Sequence, residues 1–180
     1  MEQPTTLIEA KAQLNKIWEQ GGKCPCCNQH VKLYKRKFTS SIAIALYNIY
    51  ILSQDSLRQG GDGFIHVENE FKNISGLPSS IRGNFSLLRF WGLIEKKGGE
   101  KEDGNPNNGY YRATEKASRF IRNNTKVSEY LKIYNNTFYG FDGEETDFFR
   151  AIGTKFNFSE LIKQLNPTEL FFEQQYKMKL

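Results

Sequence analysis

Three cysteines crowded into four positions are the residues of this chain best suited to chemistry: Cys24, Cys26 and Cys27. Cys24 and Cys27 have the C-x-x-C spacing, and His30 follows three positions later. Thiolate sulfur and imidazole nitrogen are the ligands that structural zinc sites use, and such a site needs four of them. Because the chain has no fourth cysteine, this cluster supplies at most part of a ligand set.

The run Cys24-Pro-Cys-Cys27 resembles one knuckle of a rubredoxin or zinc ribbon, in which two thiolates on a tight turn bind one metal. Asn28 stands where these turns usually have Gly, and Asn tolerates the same left-handed backbone. The resemblance implies a zinc ion held by Cys24 and Cys27, and His30 is the candidate third ligand.

The fourth zinc ligand would be Cys26 or His66, or the site would be shared between two copies of the chain in a homodimer. Two alternatives stay open: thiols that only pack against the protein, and a redox-active pair. The redox interpretation lacks the βαβ setting in which such motifs usually lie.

A second candidate site is a polar strip on a helix predicted over residues 79–91. One side carries Ser79, Arg82, Ser86 and Arg89. Another side repeats apolar residues at helical intervals, namely Ile81, Phe85, Leu88 and Trp91. A helix fits the major groove of DNA, and a guanidinium binds guanine O6 and N7 or a phosphate, so this strip predicts a contact with double-stranded DNA. The alternative is a solvated face whose arginines pair with nearby acids.

Further cations are candidate phosphate contacts. On a basic strand predicted over 31–38 they are Lys32, Lys35, Arg36 and Lys37, and near a predicted β-hairpin they are Lys96, Lys97 and Arg112. Helical candidates are Lys116, Arg119, Arg122 and Lys126. Each contact with DNA would steepen the salt dependence of binding by about one unit. The tip of the hairpin, between Glu95 and Gly109, has more acids than bases and would be repelled by phosphate.

Hydrophobic periodicity and turn residues predict the elements that position these side chains. We expect helices over 7–20, 39–58, 68–74, 79–91 and 115–122, and near 145–152, 159–165 and 168–177. We expect strands over 31–38 and 64–67, a hairpin of 93–97 with 110–114, and a second hairpin of 130–134 with 137–141 about Asn135-Asn136. The expected class is α+β, with segments 1–38, 39–126 and 127–180, the last a small α/β appendage.

Residues 39–122 resemble winged helix-turn-helix proteins of bacteria and phages in the order of their elements and in two stretches of sequence. These stretches are the join Leu87-Leu-Arg-Phe-Trp-Gly-Leu-Ile-Glu95 and the later Gly109-Tyr-Tyr-Arg-Ala-Thr-Glu-Lys-Ala-Ser-Arg-Phe120. The resemblance covers about half of the chain. The order of a single cysteine knuckle, a basic strand and this domain also resembles phage-type proteins. The resemblance to winged helix-turn-helix proteins implies a core of that fold with 79–91 as its recognition helix.

Composition sets broader limits. The chain has 180 residues, is 14% aromatic and carries a net charge of +5, with the positive excess in residues 1–127. Its longest apolar run, Ile42–Tyr47, is far too short to cross a bilayer, so we expect no membrane association and a cytoplasmic location.

The sequence therefore predicts a DNA-binding regulator. The competing hypothesis is a protein-binding winged helix that engages a host protein such as a polymerase or a defence factor. No catalytic constellation is recognisable, so we expect no enzyme. The tail acids Asp142, Glu144, Glu145 and Asp147 fit a solvated loop and helix start better than a cation site.

Overall fold

The computed structural model describes residues 6–74, 77, 79–100 and 104–153, and all that follows concerns these residues. It has a mixed α+β architecture with antiparallel sheets, which confirms the predicted class. The helices are α1 (Leu7–Ile17), α2 (Ser40–Arg58), α3 (Val67–Asn73), α4 (Ser79–Arg82), a 3-10 helix (Phe85–Arg89), α5 (Glu115–Ile121) and α6 (Phe148–Ile152). The strands are β1 (Gly22–Lys23), β2 (His30–Val31), β3 (Tyr34–Lys37), β4 (Ile65–His66), β5 (Ile94–Lys96), β6 (Tyr110–Ala113), β7 (Val127–Tyr134) and β8 (Thr137–Thr146).

Helix α2 is the centre of the molecule. It begins where the Thr39 side chain accepts a hydrogen bond from the Ile42 N–H, at 3.4 Å. Every residue from 42 to 51 is buried, so the helix is covered on all sides rather than along one stripe. The prediction of a helix over 39–58 is therefore confirmed, and α2 is the element against which the others pack.

A three-stranded sheet in the order β4-β6-β5 lies beside α2. The hairpin predicted for 93–97 and 110–114 is present as β5 and β6, with Glu95 opposite Arg112. Strand β4 pairs with the other edge of β6, where His66 lies opposite Tyr110. The helix predicted from residue 115 is α5, and Thr114 caps it by accepting a hydrogen bond from the Ala117 N–H at 3.2 Å.

The prediction of one continuous helix over 79–91 is wrong. The segment is broken into α4 and the 3-10 helix, with Gly83 and Asn84 between them. Asn84 has φ −121° and ψ 7°, which is not helical, and glycine in a helix interior costs roughly 1 kcal/mol relative to alanine. Because a 3-10 helix has three residues per turn, Phe85 and Leu88 still point the same way and are both buried.

The basic strand predicted over 31–38 is also divided. Residues 30–31 pair with β1 across the cysteine turn, whereas β3 leaves that hairpin and pairs with β7 in a second sheet of order β3-β7-β8. Between the two strands the Leu33 N–H donates to the Trp18 carbonyl at 2.9 Å. The run predicted as one strand over 31–38 is therefore divided between two sheets.

The second hairpin turns at Asn135-Asn136 as predicted. Both residues are left-handed, with φ of 46° and 57°, which is the backbone that a two-residue hairpin turn requires. Its strands run further than predicted, so residues 145 and 146 belong to β8 and the helix expected near 145–152 begins only at Phe148, where Asp147 caps it. The helices predicted over 159–165 and 168–177 lie outside the described residues.

The described parts of the three predicted segments share one hydrophobic core, which extends from Phe38 to Ile152. Phe38 packs edge-on against Trp91 at 4.9 Å and against Phe120 at 5.3 Å between ring centroids. Phe148 packs against Phe120 from the other end of the chain, at 5.8 Å. Within the described ranges no helix is both long and apolar enough to span a membrane.

Candidate nucleic-acid interface

The 79–91 segment presents two arginines while its apolar residues anchor it. Ile81 and Leu88 are 1% and 0% exposed, whereas Arg82 and Arg89 are exposed. Neither guanidinium lies within ion-pair distance of a carboxylate among the described residues. Arg89 lies over the ring of Phe90, with 4.6 Å between its guanidinium carbon and the ring centroid.

The break at Gly83 changes the predicted polar strip. Arg82 ends α4 and Arg89 ends the 3-10 helix, so the two arginines mark the ends of a bent segment rather than successive turns of one helix. Ser79 is exposed at the start of α4, and Ser86 is half-buried in the 3-10 helix. The segment therefore retains its four predicted polar side chains at the surface in a different spacing.

The basic strand is partly neutralised by its own sheet. Lys35 forms an ion pair with Asp142 at 2.6 Å, and Lys37 forms one with Glu129 at 2.8 Å. The hydrogen bond that the Lys35 ammonium donates to the Asp142 carboxylate raises the pKa of Lys35 and holds the pKa of Asp142 below its ordinary value. Of the four predicted contacts on this strand, these two already have acidic partners.

The other two cations contact an aromatic ring instead. Lys32 and Arg36 both lie over the ring of Tyr34, with 5.1 Å from Lys32 Nζ and 5.3 Å from the Arg36 guanidinium carbon to its centroid. Both are exposed, and neither has a carboxylate at ion-pair distance within the part of the chain that is described. Lys32 and Arg36 thus keep their charge available at the surface.

The cations at the base of the β5-β6 hairpin are paired with acids within the fold. Lys97 donates to Asp62 at 2.7 Å, and Arg112 pairs with Glu95 and donates to the Asp62 carbonyl at 3.2 Å. The Phe64 ring lies beneath both, 4.5 Å from the Arg112 guanidinium carbon and 5.4 Å from Lys97 Nζ. Both predicted phosphate contacts are therefore paired with acids of their own fold.

Other predicted cations make single polar contacts. Lys96 donates to the Asn108 side chain at 3.0 Å, and Lys116 donates to the Trp91 carbonyl at 2.8 Å. Arg122 donates to the Tyr50 hydroxyl at 3.3 Å. Arg119 and Lys126 are exposed. Lys116 and Arg122 therefore connect α5 to the core, and the partners of these two cations and of Lys96 are neutral groups.

The cysteine turn has an ordered backbone. The Cys24 N–H donates to Gln29 O at 2.8 Å, the Asn28 N–H donates to Cys24 O at 2.9 Å, and Asn28 is left-handed with φ 59°. The backbone N–H groups of Cys26 and Cys27 point at the Cys24 sulfur and lower the pKa of its thiol. Desolvation, with the neighbouring Cys24 charge, raises the pKa of Cys26.

The described residues bring no third metal ligand to this turn. No group of three or more His, Cys, Asp or Glu side chains lies close enough to hold an ion in those ranges. His66 is engaged elsewhere, since its Nδ1 accepts a hydrogen bond from the Asn69 N–H at 3.4 Å and its ring packs on Tyr110. Zinc binding by Cys24, Cys27 and His30 stays a prediction.

Sequence reasoning missed a set of aromatic side chains beside the candidate segment. Phe90 stacks on Phe138, with centroids 5.9 Å apart and ring planes 16° apart, and Phe138 contacts Phe141 at 4.9 Å. Phe141 and Tyr34 are 44% and 41% exposed. The alternation of aromatic residues along the second hairpin was the available signal, but it does not reveal which strand would pair with it.

Comparison of the chain with models of protein families, with curated proteins and with solved structures found no match. The functional assignment therefore depends on the geometry described above.

Proposed function

We propose that residues 40–121 form a winged helix-turn-helix module that binds double-stranded DNA through the 79–91 segment. The order of elements supports it: a central helix, a short strand, a short helix, the segment itself, a β-hairpin and a closing helix. The sheet order β4-β6-β5, in which the first strand pairs with the last, also fits the family that the sequence resembles.

The observation that carries the proposal is the contrast between free and paired cations. Arg82 and Arg89 have no acidic partner among the described residues, although Lys35, Lys37, Lys97 and Arg112 each have one. A guanidinium without a carboxylate is available to a phosphate or to a guanine edge. Ser79 and Ser86 would supply hydroxyl contacts.

Phosphate contacts beyond the segment would come from Lys32, Arg36 and Lys96. The paired cations would contribute less to DNA binding, because each must first break its ion pair. Lys35, Lys37 and Lys97 lie 2.6–2.8 Å from their carboxylates, and Arg112 is paired with Glu95. The resulting surface has fewer phosphate contacts than the sequence alone predicts, so its affinity for DNA should depend more weakly on salt.

The test is a titration of the purified full chain with fluorescent, blunt duplex DNA at several salt concentrations. The double variant R82A/R89A should lose at least about tenfold in affinity at low salt, and its salt slope should fall by about two units. The matched control K35A/K37A removes the same formal charge from paired lysines and should change both quantities less.

Circular dichroism must show that each variant is folded. Absence of duplex binding at low salt would refute the proposal, and so would an R82A/R89A variant that binds as tightly as the unmodified chain.

A protein partner is the second candidate function, and the neutralised hairpin favours it. Lys97 and Arg112 are held by Asp62 and Glu95, so the base of this hairpin offers little charge to a phosphate backbone. A pulldown from host lysate after nuclease treatment separates the two candidates. A partner retained without nucleic acid, and lost when the hairpin residues 98–108 are replaced by a short turn, would support the protein-binding hypothesis.

A further inference from the structure

The cysteine turn lies at the surface, in a small hairpin that the proposed function does not use. Cys24 is half-buried, and Cys26 and Cys27 are exposed. The flanking strands β1 and β2 pair only with each other among the described residues. Residues 26–30 are all exposed, so the tip of this hairpin is open to a second molecule.

The backbone of the turn presents two sulfur atoms together. The Asn28 N–H donates back to the Cys24 carbonyl at 2.9 Å, which closes the turn. Backbone N–H groups of Cys26 and Cys27 point at the Cys24 sulfur, and the Cys24 and Cys27 thiols lie within hydrogen-bonding reach of each other. N–H groups aimed at a sulfur stabilise its thiolate, which is the form that binds a metal. The turn is therefore shaped as one half of a thiolate site.

Other candidate ligands of the same chain are directed elsewhere. The His30 ring leans toward the base of the hairpin, with its Cε1 3.5 Å from the position that a Cβ on Gly21 would take. His66 lies in a different sheet, where its Nδ1 accepts a hydrogen bond from the Asn69 N–H. Within the described ranges no three His, Cys, Asp or Glu side chains come together to hold an ion. Structural zinc needs four ligands, so a single chain offers an incomplete set.

We propose that two copies of this chain bind one zinc ion between their cysteine turns, with Cys24 and Cys27 of each copy as its four ligands. Two C-x-x-C pairs complete the tetrahedral set that one chain lacks. A twofold axis through the metal would relate the copies, and this is the commonest symmetry of soluble oligomers. Both pairs lie on an exposed turn, so the core need not rearrange.

The charge around the turn fits such a site. Four thiolates around Zn²⁺ leave two negative charges in excess. Residues 21–33 contain Lys23 and Lys32 and no Asp or Glu. Two copies therefore place lysines on both sides of an anionic centre, whereas two metal-free turns with neutral thiols would repel each other.

The first experiment measures zinc content and molecular mass on one sample of the full chain, purified without a histidine tag. A phosphine reductant in the buffer prevents disulfide-linked dimers. About 0.5 equivalent of zinc per chain should accompany a dimer, because one ion is shared by two copies. A chelator should yield the monomer, and added ZnCl₂ should restore the dimer. A chain that stays monomeric in excess ZnCl₂, or that binds a full equivalent as a monomer, would overturn the proposal.

The second experiment replaces single ligands. C24S and C27S should each lower the zinc content below about 0.1 equivalent per chain and leave a monomer. The matched control C26S makes the same substitution between the two ligands and should keep both the zinc and the dimer. H30A should keep them as well. A loss in C26S or H30A as complete as that in C27S would assign a different ligand set and refute the shared site.

Circular dichroism checks the fold of each variant, and cobalt substitution of the unmodified chain keeps the test valid if a cysteine variant unfolds. Co²⁺ in place of zinc should give the visible absorption of a tetrahedral site, with the sulfur-to-metal charge-transfer bands of four thiolates. An octahedral spectrum, or one with nitrogen ligands, would contradict the proposed ligand set.

None of the four ligands belongs to the 79–91 segment, so the zinc site and the DNA contact are tested separately. The variant R82A/R89A should keep the zinc content and the dimer of the unmodified chain. Absence of duplex binding would leave the zinc site standing, and absence of zinc would leave the proposed function standing.

Discussion

Some cations that the sequence offers as candidate DNA contacts are paired with acids in the folded protein. Lys35, Lys97 and Arg112 look equivalent to Arg82 and Arg89 along the chain, yet these three have acidic partners in the described ranges and the two segment arginines have none. Surface ion pairs contribute little to stability, with about 0–1 kcal/mol as the typical range. Their main effect here is to decide which cations a polyanion can reach.

Asp62 provides a prediction about pH. Its pKa lies below the ordinary value because Lys97 and the Phe64 N–H donate hydrogen bonds to its carboxylate. A pKa that is lower in the folded state gives stability that is present above the unfolded value, about 3.9, and is lost as the pH falls through the folded value. The difference in Tm between the unmodified chain and D62N should therefore shrink between about pH 6 and about pH 3. A difference that grows on acidification would contradict this.

Asn48 provides a prediction about stability. It is fully buried in α2, and its Nδ2 donates to the Ile44 carbonyl at 2.8 Å, but its Oδ1 has no protein hydrogen-bond partner in the described residues. Removing a poorly satisfied polar group costs less than removing an apolar one of similar burial. N48A should change the free energy of unfolding by less than about 1 kcal/mol, whereas I49A should lower it by about 2–5 kcal/mol.

Urea denaturation of both variants checks this contrast between neighbouring buried residues. A loss for N48A as large as that for I49A would show that Oδ1 has a partner such as an internal water.

At the scale of elements, glycine and asparagine positions decide where helices and strands stop. Gly83 divides the segment predicted as one helix, and Asn135-Asn136 forms the tight turn of the second hairpin. Gly140 and Gly143, with φ of 113° and 77°, accompany register shifts along β7 and β8. Irregularity of this kind in an edge strand discourages pairing with other chains.

Two glycines should respond in opposite ways to alanine. A Cβ on Gly83 would meet nothing within 4 Å, and its φ is not left-handed, so G83A should raise the free energy of unfolding by about 0.4–1 kcal/mol. Gly109 has φ 81°, and a Cβ there would lie 2.7 Å from His66 Nε2, so G109A should lower it by more than about 1 kcal/mol. Thermal and urea unfolding of the two variants measure both changes. A stabilised G109A would contradict the close contact with His66.

At the scale of the whole molecule, the ends of the described chain build one core. Strand β3 from the first predicted segment pairs with β7 from the last, and Trp91 from the middle donates its indole N–H to the Ser128 carbonyl at 2.7 Å. Val127, Leu131 and Phe148 are 3%, 0% and 0% exposed. The 127–153 region is therefore part of the structure that supports the candidate site.

Deletion of residues 127–180 should leave a chain that does not fold cooperatively, because it removes β7 and exposes Phe38 and Phe120. F148A in the full chain should lower the free energy of unfolding by about 3–5 kcal/mol in a single transition, since this ring is in the shared core. A cooperative transition in the 1–126 fragment, or two separate transitions in the full chain, would contradict a shared core.

The sequence alone determined the elements whose signals are local. Apolar periodicity predicted α2, turn residues predicted both hairpins, and the capping residue Thr114 marked where α5 begins, because each of these signals acts between residues a few positions apart. Residue types alone likewise located the cysteine turn and the arginines of the 79–91 segment. The left-handed Asn28 and Asn135-Asn136 followed from the same local chemistry.

Only the tertiary structure decided which of these features can act. The pairing of β3 with β7, the ion pairs of Lys35 and Lys97 with distant acids, and the stacking of Phe90 on Phe138 all join residues far apart in the chain. Such contacts depend on strand register and on how helices pack, and a change of one residue in register would reverse every face. The charge of the basic strand was visible in the sequence, but the pairing of Lys35 and Lys37 with acids, which leaves Arg36 unpaired in the described residues, came from that register.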